Sequence, residues 1–224
     1  MKRGRTAKRR APADAGPLER QARASLKAAA VTAARTERTT AAAIAAAAEA
    51  MIACLEGGGT VFFCGNGGSA ADAEHLAGEL SGRYLVDRPA FSALSLTANT
   101  ATLTAIGNDY GFEHVFARPL SGMGKPGDVL VAITTSGRSR NVQRAVETAH
   151  GLGMVTIGMT GEKGRAFTAH CDIALITPSA TTPRIQEGHI VMGHIVCELV
   201  ERALLRRTAP ARRGTRRRRS RRSA

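Results

Sequence analysis

The 224-residue chain has no tryptophan and only 4% aromatic residues. That scarcity argues against base-stacking platforms of the single-strand or RNA-binding kind. Its four cysteines, Cys54, Cys64, Cys171 and Cys197, include no C-x-x-C pair. The spacing excludes a cysteine zinc site and a disulfide framework, and fits buried, reduced thiols in a cytoplasmic protein. No apolar h-region follows the basic start, so no secretory signal is read. No uninterrupted run of eighteen apolar residues occurs either. The nearest, TTAAAIAAAAEAMIACLE at 39–56, is alanine-rich, is broken by Glu49 and reads as a soluble helix, with no membrane association expected.

Acidic residues are absent from both ends. The formal charge is +14, yet MKRGRTAKRR (1–10) and RRTAPARRGTRRRRSRRSA (206–224) together hold 16 Lys and Arg, which leaves residues 11–205 at about −2. Like charges in blocks repel and stay solvated, so residues 1–17 and 207–224 are expected to be disordered basic tails around a single domain at 18–206. Such tails would bind nucleic acid non-specifically, if at all.

What is present is an alternation. Two Ala-rich helices are expected at 18–36 and 38–56, the second stopped by Gly57-Gly58-Gly59. Short apolar strands follow at 60–64, 91–96, 128–135, 154–160 and 171–178, separated by helical stretches at 69–83, 100–107 and 136–153 and closed by a long helix at about 183–206. Evenly apolar strands alternating with helices predict an α/β fold with a parallel sheet covered on both faces. Such sheets bind ligands beyond the carboxyl ends of their strands.

Three stretches carry chemistry. Thr134-Thr135-Ser136-Gly137-Arg138-Ser139 puts four hydroxyls where a strand turns into a helix, which suits a phosphate or an ordinary helix cap. GNGGSAADAEHLAGE at 65–79 lacks the Gly-Lys-Ser/Thr of a P-loop and the acidic ribose partner of a dinucleotide site. Its glycines still let a ligand lie against Asn66 and nearby amides, with Ser69 capping the helix. In the same stretch His75 and Glu79 share one helical face, as a metal pair, an acid/base pair or a surface pair; H-E-x-x-H is absent. RIQEGHIVMGH at 184–194 places Gln186, His189 and His194 on one broad face of an apolar helix. They are either satisfied core groups or the second half of the His75/Glu79 site, contributed by another element or another subunit.

Taken together, CGNGGSAADAEHLAGEL, LTAIGNDYGFE, ITTSGRS and RIQEGHIVMGHIVCELVE resemble the phosphoheptose isomerases of the sugar isomerase domain superfamily, over about residues 25–205. The resemblance implies a flavodoxin-like five-stranded parallel sheet, with N-terminal helices building a homotetramer. It implies isomerisation of sedoheptulose 7-phosphate to D-glycero-D-manno-heptose 7-phosphate, the entry to lipopolysaccharide-core or nucleotide-activated heptose. It implies one zinc ion per subunit, held by His75, Glu79, Gln186 and His194. Substrate would be held by Asn66, Gly67, Gly68, Ser69, Glu79, Ala98, Asn99, Thr134, Thr135, Ser136, Ser139 and Gln186, with Glu79 and His194 as catalytic base and acid. Three positions depart from the usual pattern: Asn99 stands for Asp, Thr134 for Ser, and Arg138 for Asn or Lys. The competing expectations are a non-catalytic scaffold binding the replication initiator, and an isomerase or regulator for another phosphosugar. The presence of Glu79 and His194 favours the enzyme.

Overall fold

The computed structural model describes residues 16–208. The expected tails at 1–17 and 207–224 therefore lie outside the described residues, except for the helix ends at 16–17 and 207–208. Five strands, β1 (Val61–Gly65), β2 (Ala93–Ser95), β3 (Val129–Ile133), β4 (Val155–Gly161) and β5 (Ile173–Thr177), form one parallel sheet in the order β2-β1-β3-β4-β5. Register runs straight across it: Phe63 is level with Ser95 and Val131, and Ile157 is level with both Val131 and Ile173. This is the flavodoxin-like order, whose direction of winding reverses at β1/β3. The loops after β1 and β3, the two glycine- and hydroxyl-rich stretches, leave the sheet side by side at that reversal.

Alternate strand residues serve two cores. Val61, Phe63, Val129, Val131, Ile133, Ile157, Met159 and Leu175 pack beneath α1 (Pro17–Glu56), α2 (Gly68–Ser81) and α7 (Thr182–Thr208). Phe62, Cys64, Leu130 and Ala132 pack on the other face, against α3 (Thr100–Tyr110), α4 (Ala117–Met123), α5 (Arg140–Gly151) and Phe167 of the short α6 (Arg165–Thr168). Both faces of the central strands are buried, so β1 and β3 are apolar without alternation. Each fully buried Leu, Ile or Phe here contributes about 1.5–3 kcal/mol.

The N-terminal region is one helix of 40 residues, not two. No glycine or proline interrupts it at 37, and Thr32 and Thr36 bond back to the carbonyls of Ala28 and Thr32, so the threonine-rich middle stays helical. By length and composition α1 would pass as a membrane span. In the fold its buried stripe, Ile44, Ala47, Ala48, Met51 and Cys54, belongs to the core. Its N-terminal half runs along α7, where Arg184 donates to the Ser25 carbonyl, but leaves Leu18 at 80% and Leu26 at 71% exposure.

Helix starts also differ from expectation. Gly67, at φ +57°, is the N-cap of α2, and the helix begins at Gly68. Ser69 therefore sits inside the first turn, buried, with its amide donating to the Asn66 carbonyl, and its side chain is not the cap. Only a glycine adopts that φ without strain. Within the stretch expected to open with cap residues at 136, Ser139 is the N-cap and α5 begins at Arg140, because the hydroxyl loop uses four residues to turn. The short α4 and α6 went unforeseen; four to seven residues are too few to show a helical period.

Candidate functional site

The hydroxyl loop is braced by its own groups. Thr134 Oγ1 accepts from the Gly137 amide at 3.2 Å and lies 3.2 Å from Ser139 Oγ. Ser136 Oγ accepts from the Arg138 amide, and Gln143 Nε2 donates to the Gly137 carbonyl. Gly137 is at φ +71°, and a Cβ there would strike Gly164 and Phe167. Thr134 is buried, while Thr135, Ser136 and Ser139 keep partial exposure at the mouth of α5. Ser139 is the N-cap residue of α5 without a side-chain cap bond, so orphan amides of the first turn remain for an anion.

The neighbouring glycine loop is tied to this one by a closed pair of amides. Asn66 Nδ2 donates to Asn141 Oδ1 at 2.9 Å, and Asn141 Nδ2 returns a bond to Asn66 Oδ1 at 2.8 Å. Asn66 thus acts first as a brace across the sheet reversal. Asn141, unremarked in the sequence, is its buried partner. Gly67 and Gly68 are exposed, and the amide nitrogen of Gln186 lies where a Gly68 side chain would begin. Ala98 and Asn99 stand exposed beyond β2, where Asn99 Oδ1 accepts from the Thr102 amide and caps α3. An aspartate would cap equally well, which explains why the amide is tolerated at this position.

The acid/base residues meet between α2 and α7. His75 Nε2 is 2.8 Å from His194 Nε2 and 3.2 Å from Glu79 Oε1, and one ligand atom from each of the three falls within 4.8 Å of the others. The two rings are edge-on, with centroids 5.0 Å apart, and Tyr84 leans on His194 at 5.8 Å. Two imidazole nitrogens this close can share one proton or one cation. Two nitrogens and a carboxylate oxygen converging in this way form a donor set that fits zinc or a similar divalent ion. Gln186 stands eight residues before His194, about 12 Å of helix rise. Within one chain it is seated at the N-terminus of α2, while the other three gather near its end.

His189 is on the same helix but belongs elsewhere. It is fully buried, no well-formed hydrogen bond reaches either ring nitrogen, and burial, only partly opposed by the nearby Thr160 backbone, pulls its pKa down to about 4. Asp72, one turn before His75, was missed by the sequence reading. One of its carboxylate oxygens is buried without a partner, and burial raises its pKa against the pull of His75. Its signal was present in the i, i+3 spacing to His75.

The SIS domain profile matches residues 26–161. The phosphoheptose isomerase of Rhodospirillum rubrum is 56% identical over 138 residues, 62% of this chain and 73% of that one. The chain belongs to the phosphoheptose isomerase family. The Helicobacter pylori member is 52% identical over 141 residues, covering 63% of this chain and 73% of its own. Among solved structures, the phosphoheptose isomerase of Neisseria gonorrhoeae superposes with a TM-score of 0.78 at 40% identity, over 83% of this chain and 99% of that one. That of Francisella tularensis gives 0.79 at 38%, over 82% and 97%.

Proposed function

We propose that the chain converts D-sedoheptulose 7-phosphate to D-glycero-D-manno-heptose 7-phosphate. The observation that carries this reading is the meeting of His75, Glu79 and His194 between α2 and α7, with the anion-receptive loops toward the N-terminal end of α2, in a chain that belongs to the phosphoheptose isomerase family. Ser136, Ser139, Thr135 and the first amides of α5 hold the phosphate, with Thr134 bracing them. Gln186, Gly67, Gly68 and Asn66, with Ser69, Ala98 and Asn99 around them, line the path of the sugar. Phosphate binding supplies the energy that fixes the open-chain sugar with its carbonyl end between α2 and α7.

There the reaction is a proton transfer. Glu79 takes a proton from the hydroxyl-bearing C1 next to the ketone and returns it to C2, while His194 moves a proton from the first oxygen to the second as the enediol collapses to the aldehyde. A carboxylate has two oxygens, so Oε1 can face His75 while the other receives the proton. Zn(II), which His75, Glu79 and His194 would hold, would stabilise charge developing on the substrate oxygens; Gln186, the fourth donor of the family set, is seated over Gly68 in its own chain and would have to come from a neighbouring subunit. Asp72, whose pKa is raised by burial against the pull of His75, stands one turn before His75 on the same helix.

The product would enter heptose synthesis for lipopolysaccharide core or other glycans, in the cytoplasm. A homotetramer fits the exposed Leu18 and Leu26 of α1 and the apolar row Val191, Ile195 and Leu199 on α7, each of the latter 38–43% exposed. The test is turnover of sedoheptulose 7-phosphate by purified full-length protein, before and after chelation and zinc re-addition. Activity lost on chelation and restored by zinc is expected. Activity indifferent to chelation would remove the metal, and no activity in zinc-replete protein would remove the reaction. Equilibrium sedimentation of the same preparation reads the number of chains, four being expected.

A further inference from the structure

Two turns beyond His194, on the same face of α7, lies a second charged pair. Arg88 and Glu201 have side chains 0% and 2% exposed, with Nε and Oε1 2.9 Å apart. Nothing in the reaction as drawn uses them, and burying two charges is costly unless every valence is filled. Here the bonds are in place. Glu201 accepts from three successive amides, Tyr84 at 3.1 Å, Leu85 at 2.9 Å and Val86 at 3.1 Å, besides Arg88. Burial alone would raise its pKa, but these amides and the guanidinium outweigh it and hold the carboxylate ionised below its ordinary range. Arg88 in turn donates Nη2 to the Glu79 carbonyl at 2.9 Å, and Nη1 to the carbonyls of Leu80 at 2.9 Å, Pro89 at 3.1 Å and Gly82 at 3.3 Å. Its guanidinium also lies 3.8 Å over the Phe91 ring.

These bonds have a direction. The carbonyls of Glu79 and Leu80 are among the last four of α2, which no intrahelical amide can reach, and a cation is favoured at that end of the dipole. Arg88 is thus the C-terminal cap of the helix that carries His75 and Glu79, and it takes hold of the backbone of Glu79 itself. Glu201 anchors that cap to the helix that carries His194, and anchors the Tyr84 amide while the Tyr84 ring leans on His194. α2 and α7 run side by side in the same direction and touch at three levels: Gly68 against Gln186, Leu76 against Gly193, and the end of α2 against Glu201 through Arg88. The cluster sits at the second level and reaches toward the third: His75 and His194 adjoin the Leu76/Gly193 contact, and Glu79 stands one turn nearer Arg88. Its closest separation, 2.8 Å between imidazoles on different helices, is set by how these helices are held.

We infer that Arg88 and Glu201 are positioning residues for the His75–Glu79–His194 centre, holding the end of α2 and the 84–86 amides against α7 so that the three ligand atoms converge. The inference deepens the proposed function and rests on it for the reaction, but not for the geometry.

The test is Arg88→Lys in the full-length chain. Lysine keeps the charge but loses the planar fork, so one nitrogen cannot span Glu201 and the α2 carbonyls together. The folded variant should bind Zn(II) about 10–100-fold more weakly in chelator competition, the range for partners that orient metal ligands. Its kcat should fall about tenfold or more, with KM for the phosphosugar within about twofold, because the phosphate loops lie at the opposite end of α2. A folded R88K protein with parental zinc affinity and parental kcat overturns the inference, and so does a change confined to KM. Should R88K fail to fold, Glu201→Asp retains the charge and retracts it by one methylene, and carries the same expectations and the same overturning result. A parent that binds zinc without turning over sedoheptulose 7-phosphate would sink the proposed reaction alone, and the zinc affinities would still decide the positioning role. A parent that does neither leaves the decision to the crystal structure of the variant, where an imidazole separation unchanged from the parent's overturns it.

Discussion

Between the same two helices the chain keeps two polar clusters of opposite character. At Arg88 and Glu201 all three guanidinium nitrogens and both carboxylate oxygens are bonded, and the side chains are sealed from water. One and two turns away His75, Glu79 and His194 converge with more lone pairs than protons, and the His75 side chain is 47% exposed. The first cluster has spent its bonding capacity on the fold, and the second holds its capacity for a ligand. Matched burial of charge thus marks the strap that holds the helices, whereas unmatched convergence at a wet surface marks the place for a ligand.

The contrast can be broken first at its two carboxylates. Glu79→Gln should lower kcat by about 10²–10⁴-fold, the usual contribution of a positioned base, with thermal unfolding nearly unchanged. Glu201→Ala should do the reverse in calorimetry, costing about 3–5 kcal/mol of stability because Arg88 is left buried without a counter-charge. Undiminished turnover in E79Q removes Glu79 as the base. A Glu201→Ala protein as stable as its parent removes the buried pair as a structural strap.

A second comparison lies within α7, between His194 at the cluster and His189 in the core. His189 has a folded pKa of about 4 against 6.5 when unfolded. Below pH 6.5 the unfolded chain takes up a proton that the folded chain refuses, so stability falls with pH down to about 4 and levels off below it. The loss amounts to about 3 kcal/mol. Denaturant unfolding at pH 7 and pH 4 should show His189→Leu losing about that much less than the parent, and an equal loss in both would contradict the assignment. The smallest effect is expected at the phosphate loop. Ser136→Ala removes one of several donors, so KM should rise about five- to tenfold, about 1–1.4 kcal/mol. A change confined to kcat would contradict the phosphate role.

The limits of the sequence reading follow from distance along the chain. The parallel sheet was legible because both faces of its strands are covered, so Val61–Cys64 and Val129–Ile133 are apolar throughout. His75 and Glu79 were legible because four residues make one turn. The break placed near residue 37 had no physical cause, since threonines can bond back into a helix as readily as they interrupt it. Asn66 was read as a ligand contact because its partner, Asn141, is 75 residues away. Arg88 and Glu201 drew no notice, because charged residues are ordinarily solvated and nothing local marks this pair as buried.

The sequence by itself determined the alternation of strands and helices, the glycine and hydroxyl loops at two strand ends, and which residue types could do acid/base chemistry. Only the tertiary structure decided that β1 and β3 lie side by side, that His75 and His194, 119 residues apart, stand 2.8 Å from each other, and that Gln186 is seated over Gly68. Local periodicity and turn chemistry act over one to four residues and are written in the order of the chain. Which polar groups are matched and which are left open depends on packing between elements that only the folded chain brings together.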